Sequence, residues 1–273
     1  MLKLREMICL MLVLAFCFMI TGAATAATVT IQGSTTVLPV TQSAAEVYMD
    51  QNPEINITVR GGGSGNGIAA VVDGAVDIGQ ASRFIRDEEV KNAVDNGIYP
   101  VPHRIAMDGI AVVLHPSNPI EDLSLEEIKA IFTGEATCWS EFGGPEQDIT
   151  IISRDSSSGT YGVFSSIALD GERLSPRALL QASNGAVAGT VAETKGGIGY
   201  VGLGYLSDEL KPIKVNGVDA TEANVVNGSF PIARGLYLFT DGWPKGQTAE
   251  FINFILSSEG QRIVGETGYV PIF

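Results

Sequence analysis

Residues 153–160 read Ser-Arg-Asp-Ser-Ser-Ser-Gly-Thr, one cation followed by hydroxyls and a glycine. The apolar run 149–152 precedes them and a helix-like stretch, 161–169, follows. This is the pattern of a strand feeding a turn that opens a helix. The first N–H groups of a helix lack intrahelical acceptors and carry partial positive charge. Arg154 adds a planar, two-pronged donor. Ser158 and Thr160 add hydroxyls, and Gly159 lets backbone approach closely. Together these groups suit a tetrahedral oxyanion.

Two further turns repeat the pattern. Gly33-Ser34-Thr35-Thr36 leads into Val37-Leu38-Pro39, where proline fits a first helical turn. Gly61-Gly62-Gly63-Ser64-Gly65 leads into the apolar run 68–72. One Ser or Thr before a helix is an ordinary cap. Three such turns in one chain, one beside an arginine, point to a shared site. Ser34, Thr35 and Ser64 therefore join Arg154, Ser158, Gly159 and Thr160 as candidate anion ligands. Ser82 and Arg83 close the run 77–83 and are candidates to face the same cleft. Asp108 opens an apolar strand, where its carboxylate could accept the proton that phosphate keeps and sulfate lacks. Such a contact discriminates, because a buried polar group without a partner costs about 1–3 kcal/mol, more when charged. Asp155 is the expected orienting partner of Arg154.

The elements that must position these residues alternate along the chain. Strands are expected at 28–32, 55–60, 76–81, 108–114, 149–153, 197–202 and 234–240. Helices are expected at 39–51, 65–74, 87–95, 124–133, 159–169, 175–182, 186–194, 247–257 and 259–265. Ser124 and Glu127 form a capping box. Alternation of this kind implies an α/β fold with mostly parallel sheets, and ligands in such folds bind beyond the carboxyl ends of the strands. The runs 106–114 and 231–239 serve as crossings between two lobes. Lobe 1 is then 27–108 plus 232–273, lobe 2 is 109–231, and a ligand between them is gripped from both sides on hinge closure.

Lys3 and Arg5 ahead of the apolar run 8–20, and the small residues 21–27, read as a secretory signal peptide over 1–26. The mature chain is expected outside the cytoplasm, secreted or periplasmic. At 45% hydrophobic and 18% charged residues the composition is that of a folded protein. The net charge is −14; removing the +1 of Lys3, Arg5 and Glu6 leaves about −15, which argues against nucleic acid and anionic membranes. Cys138 alone survives signal removal, so neither an internal disulfide nor a cysteine metal cluster is available, and the thiol is expected to pack as a small hydrophobe. His103 and His115 carry no nucleophile or metal pattern. Gly62-Gly63-Ser64-Gly65-Asn66 misses the nucleophile elbow at its last position, and no phosphate-loop Gly-Lys-Ser/Thr occurs. The expectation is a binding protein, not an enzyme, with no metal and no cofactor.

The ordered set of motifs resembles the extracytoplasmic phosphate-binding proteins of the phosphate ABC importer, the PstS family. The matching pieces are Gly33 to Pro39, Gly63 to Ile68, Asp77 to Arg83, Ile131 to Gly134 with Trp139, Arg154 to Thr160, Gly196 to Gly202, Ser258 to Gln261, and Gly268 to Pro271. The resemblance implies a two-lobed periplasmic-binding-protein fold of type II with a hinge. It implies phosphate held by Ser34, Thr35, Ser64, Arg154, Ser158, Gly159 and Thr160, and permease subunits as partners of a monomeric carrier. Some family members have Ser-Asp where this chain has Ser82-Arg83, which leaves Asp108 as the substitute proton acceptor. Alternatives are another tetrahedral oxyanion (sulfate, molybdate or tungstate), a phosphate-sensing or adhesion module, and a phosphate-ester hydrolase.

Overall fold

The computed structural model describes residues 27–273, and the expected signal segment, 1–26, lies outside the described residues. The chain opens on β1 (Ala27–Ser34), α1 (Leu38–Gln51), β2 (Ile55–Gly62), α2 (Ser64–Val72), β3 (Ile78–Ala81) and α3 (Asp87–Asp95). A long strand, β4 (Pro100–Leu114), leads to β5 (Asp122–Leu123) and α4 (Leu125–Thr133). Then come β6 (Thr150–Arg154), α5 (Gly159–Ile167), β7 (Leu179–Gln181), α6 (Asn184–Glu193) and β8 (Gly197–Gly202). The short β9 (Lys211–Pro212), β10 (Lys214–Val215) and α7 (Glu222–Val226) precede β11 (Ala233–Asp241), α8 (Gly246–Ile255) and α9 (Ser258–Glu266).

The main sheet runs β2-β1-β3-β11-β4-β8-β6-β7, with β9 beside β4. At one end β1 lies between β2 and β3, all parallel. At the other, β6 lies between β7 and β8, again parallel. The two middle strands run antiparallel to their neighbours. β4 pairs with β11 along 100–109 and with β8 along 110–114, so it passes from one half of the sheet to the other.

The cores follow the same division. Val29, Ile31, Ile105, Ala106, Leu236 and Leu238 belong to one buried cluster. Ile110 to Leu114, Ile152, Ile198, Tyr200 and Ile232 belong to another. Alternation in β1 turns Val29 and Ile31 inward. In α1, Val40, Ala44 and Tyr48 recur at intervals of four and bury one face. The capping box expected at the start of α4 is present: the Glu127 N–H donates to Ser124 Oγ and the Ser124 N–H to Glu127 Oε2.

Several expectations need correction. The helix expected at 175–182 is a turn followed by β7, the sheet's terminal strand, with Leu179 and Leu180 exposed. Its short apolar pair fits either period, and tertiary pairing with β6 decides the outcome. The strand expected at 108–114 is only the distal part of β4. The proximal part contains Pro100, Pro102, His103 and Arg104, which hide its strand character, yet it pairs with β11. The expected mostly parallel sheet is mixed, because both middle strands are antiparallel. Cys138 is half-buried rather than packed away, with its Sγ 3.8 Å from Glu146 Oε1.

Gly33 is the tightest backbone point near the end of β1. Its φ is +140°, and a Cβ there would lie 2.1 Å from the Gln80 carbonyl oxygen. Gly33→Ala should therefore destabilise the chain by at least about 2 kcal/mol, combining backbone strain with a clash against rigid main chain. Urea unfolding reads this as a lower midpoint at unchanged slope, and a midpoint matching the parent's would contradict it.

Candidate functional site

The carboxyl ends of β1, β2, β3 and β6 converge where β4 and β11 cross. The turns after β1, β2 and β6 open α1, α2 and α5, so helix N-termini from both halves face one another. Glycine makes the approach possible. A Cβ on Gly63 would lie 2.5 Å from the Ser157 carbonyl oxygen, and one on Gly159 would lie 2.2 Å from Ser64 Oγ. The Gly65 N–H donates to the Ser157 carbonyl at 3.0 Å, a backbone contact between the second and third turns.

The expected hydroxyls are all buried here: Ser34, Thr35, Ser64, Ser82, Ser158 and Thr160. Ser64 is the first helical residue of α2, not its cap, and α2 has no side-chain cap. Its Oγ accepts the Ser82 N–H at 3.0 Å and lies 3.3 Å from Ser82 Oγ. Ser158 does cap α5, accepting the Tyr161 N–H at 3.2 Å. That bond satisfies one first-turn donor and leaves the Gly159 and Thr160 N–H groups without intrahelical acceptors. Ser34 Oγ accepts the Thr36 N–H, which shapes the first turn.

Arg154 is 2% exposed. Its Nε donates to the Gln181 carbonyl at 2.9 Å and its Nη2 to the Ala182 carbonyl at 3.0 Å. Nη1 reaches Thr35 Oγ1 at 3.3 Å, across the cleft. Neutral carbonyls thus fix the guanidinium without cancelling its charge. Burial pushes the Arg154 pKa down, and the nearby Asp155 carboxylate opposes that shift. Asp155 lies only 4.0 Å from Nη2, and one of its oxygens instead takes the Ser157 N–H and hydroxyl, so its main contact is to the turn. The Tyr200 hydroxyl accepts the Arg154 N–H and bonds Ser153 Oγ, while the Tyr200 ring stacks on Phe164 of α5. Strand end and helix start are thereby held together.

Two expected residues have other partners. Asp108 is fully buried, and its carboxylate is engaged by protein donors. Oδ2 accepts Arg234 Nε at 2.9 Å and Nη2 at 2.7 Å, and Oδ1 accepts the Leu203 N–H at 2.9 Å. Asp108 and Arg234 are register partners on β4 and β11, so the pair ties the two crossing strands together. Arg83 is clasped by Glu89, with Nη1 at 2.7 Å and Nη2 at 2.6 Å from its two oxygens. Its charge is therefore neutralised, although its Nε is buried without a hydrogen-bond partner.

Sequence reasoning missed Thr36, Asn184, Tyr205 and Arg234. Thr36 Oγ1 lies 2.9 Å from Thr160 Oγ1 and accepts from Asn184 Nδ2 and Arg234 Nη2. The Tyr205 hydroxyl donates to the Thr35 carbonyl, and burial pushes its pKa up to about 12. Asn184 opens α6 after β7, a fourth strand-to-helix turn, Ser183-Asn184-Gly185. Its signal is the same as that of the other three, hidden by the helix expected at 175–182.

Comparison with known proteins fits this geometry. The model of the PBP superfamily domain matches residues 21–259. The phosphate-binding protein PstS of Bacillus subtilis is 36% identical over 248 residues, covering 89% of this chain and 80% of that protein. A crystal structure of a putative phosphate ABC transporter substrate-binding protein from Clostridium perfringens, with bound phosphate, superposes with a TM-score of 0.84 at 34% identity, covering 90% of this chain and all of that one. An ABC-type phosphate transport receptor from Vibrio cholerae gives a TM-score of 0.73 at 29% identity, covering 89% of this chain and 99% of that one.

Removing one partner of a buried ion pair leaves the other uncompensated. Asp108→Ala should destabilise the chain by about 3–5 kcal/mol in denaturant unfolding, and a loss under about 1 kcal/mol would mean that the pair is not a structural tie. Glu89 supplies a pH test. Burial raises its pKa, but the Arg83 hydrogen bonds and the Arg86 N–H outweigh this and hold it below the usual value. A lowered carboxyl pKa gives stability that is present above the unfolded pKa and lost as pH falls through the folded one. Glu89→Gln should therefore flatten the acid limb of the stability–pH curve, and an unchanged limb would speak against the clasp.

Proposed function

The chain belongs to the PBP superfamily, within the family of PstS phosphate-binding proteins, and we propose that it captures inorganic phosphate between its lobes for delivery to a membrane ABC permease. The carrying observation is Arg154: a desolvated guanidinium held by carbonyls, facing hydroxyls and helix N-termini that come from both sides of one cleft. On this reading Arg154 supplies charge. Ser34, Thr35, Ser64, Ser158 and Thr160 donate hydroxyls, and Gly159 and Thr160 contribute N–H groups. Ser82 acts beside Ser64.

The reading takes 27–108 plus 232–273 as one lobe and 109–231 as the other, with hinge motion at the β4–β11 crossing. Binding then closes the hinge, and the donors need meet only in the closed state. The carrier works outside the cytoplasm, after removal of 1–26, as a monomer, and does no chemistry on its cargo. Arg83 and Asp108 enter as structural groups, since Glu89 and Arg234 already neutralise their charges. With Asp108 so engaged, sulfate is the competitor that matters, because it needs donors only.

Calorimetric titration of residues 27–273 with phosphate and then sulfate tests the proposal. Phosphate binding without a sulfate response supports it. Binding of sulfate alone, or of neither anion, overturns it. Arg154→Ala should weaken phosphate binding by roughly 10- to 100-fold, as expected for losing hydrogen bonds to a charged group. A loss below threefold would remove Arg154 from the binding role.

A further inference from the structure

We propose that Asn184 is a positioning residue that, with Arg234, fixes the direction of the cleft's hydroxyl hydrogen bonds so that Thr35 can only donate toward the bound anion and the Thr160 hydrogen is left free for it. The inference rests on the anion-binding reading above and names residues outside the expected ligand set.

A threonine hydroxyl has one hydrogen and two lone pairs. Thr35 Oγ1 faces three N–H donors: Asn184 Nδ2 at 3.0 Å, the Asn184 backbone N–H at 3.3 Å and Arg154 Nη1 at 3.3 Å. Its lone pairs are occupied, and its hydrogen must point elsewhere. Thr36 Oγ1 likewise accepts Asn184 Nδ2 at 3.0 Å and Arg234 Nη2 at 3.3 Å. Its hydrogen then goes to Thr160 Oγ1, 2.9 Å away, which frees the Thr160 hydrogen to donate outward.

The orientation of the Asn184 amide is itself determined. The Gly202 N–H donates to Asn184 Oδ1 at 3.3 Å, so the opposite end of the amide carries the two hydrogens that meet Thr35 and Thr36. Arg234 is held in turn by Asp108 and donates through Nη1 to the Ser82 carbonyl. Asn184 is fully buried, and its amide faces hydroxyls on the opposite side of the cleft. A hydroxyl free to rotate would meet an anion with a hydrogen or a lone pair. Thr35 meets it with a hydrogen before the anion arrives, so no reorientation is needed there, and Thr160, which accepts from Thr36, keeps its hydrogen for the anion.

The experiment is a double-mutant cycle on phosphate affinity in the chain 27–273, with the melting temperature of each ligand-free variant recorded. Asn184→Ala alone should weaken phosphate at least tenfold. In a Thr35→Val background, which has no hydroxyl to orient at that position, the same change should weaken it threefold or less. Thr35→Ser, which keeps a hydroxyl, should retain affinity within threefold and restore the full Asn184 effect. Equal losses in the parent and Thr35→Val backgrounds would overturn the inference, because Asn184 would then act through the fold or by direct contact. A loss below threefold from Asn184→Ala on the parent overturns it as well. So does loss of all binding in Thr35→Val, since Arg154, Ser64 and the α5 N–H groups remain. If Asn184→Ala fails to fold, Thr36→Val carries the test, with a loss of about fivefold or more expected from the freed Thr160 hydroxyl and a loss below twofold overturning the inference. Failure of the parent chain to bind phosphate removes the functional reading itself; parent binding that tolerates these changes removes only the hydroxyl polarity.

Discussion

A buried cation must be held without being neutralised if it is to serve a mobile anion, and that constraint organises the centre of this molecule. Three arginines meet near the cleft, and two of them are clasped by carboxylates. Both oxygens of Glu89 close on Arg83, and Asp108 Oδ2 accepts two donors of Arg234. Arg154 is held chiefly by two backbone carbonyls, those of Gln181 and Ala182, with no carboxylate closed onto it. Carbonyl dipoles orient a guanidinium but leave its charge to be completed by a ligand. A carboxylate in the same place would complete it permanently. The weak, 4.0 Å approach of Asp155 fits this arrangement, since that carboxylate belongs mainly to the Ser157 turn.

Holding Arg154 this way requires β7 to lie beside β6, because the accepting carbonyls come from the end of β7 and the residue after it. The edge strand is only three residues long and exposes both of its leucines. Its value lies in where its backbone ends. The same turn delivers Asn184 to the start of α6, so one short strand positions both the carbonyls that grip the arginine and the amide that grips the threonines. The Asp108–Arg234 pair has the corresponding task at the crossing. It joins β4 to β11 and passes a donor to Thr36, so hinge and cleft share a hydrogen-bond network.

The three hydroxyl turns were legible in the sequence because strand, glycine, hydroxyl and helix follow one another within a few residues, and local chemistry carries that signal. The α/β alternation was legible for the same reason, whereas the two-lobed periplasmic-binding-protein fold was implied by the resemblance that the ordered motifs carry. Asn184 carries the same signature, but the apolar pair Leu179-Leu180 suits either period, and the helix read over 175–182 erased the turn. The partners of Asp108 and Arg83 were not legible. Asp108 meets Arg234 across 126 residues, a pairing set by the register of two antiparallel strands. Glu89 lies six residues from Arg83, yet nothing in that spacing says that both oxygens will close on one guanidinium. Sequence shows which residues can bind an anion; tertiary pairing decides which of them are already taken.

The net charge of about −15 expected for the mature chain opposes the approach of an anion, and distance resolves the conflict with an anion site. Surface carboxylates act through water, where screening confines them to roughly 10 Å at 0.1 M salt. Arg154 and the N–H groups of α5 act across a few ångströms in a desolvated space, where each interaction is several times stronger. The acidic surface therefore bears on how anions approach, not on how tightly one is held. Such a surface slows encounter with a dianion and leaves the closed complex nearly untouched. On the proposed reading, retention comes from the geometry of Arg154 and the oriented hydroxyls, with long-range attraction contributing little.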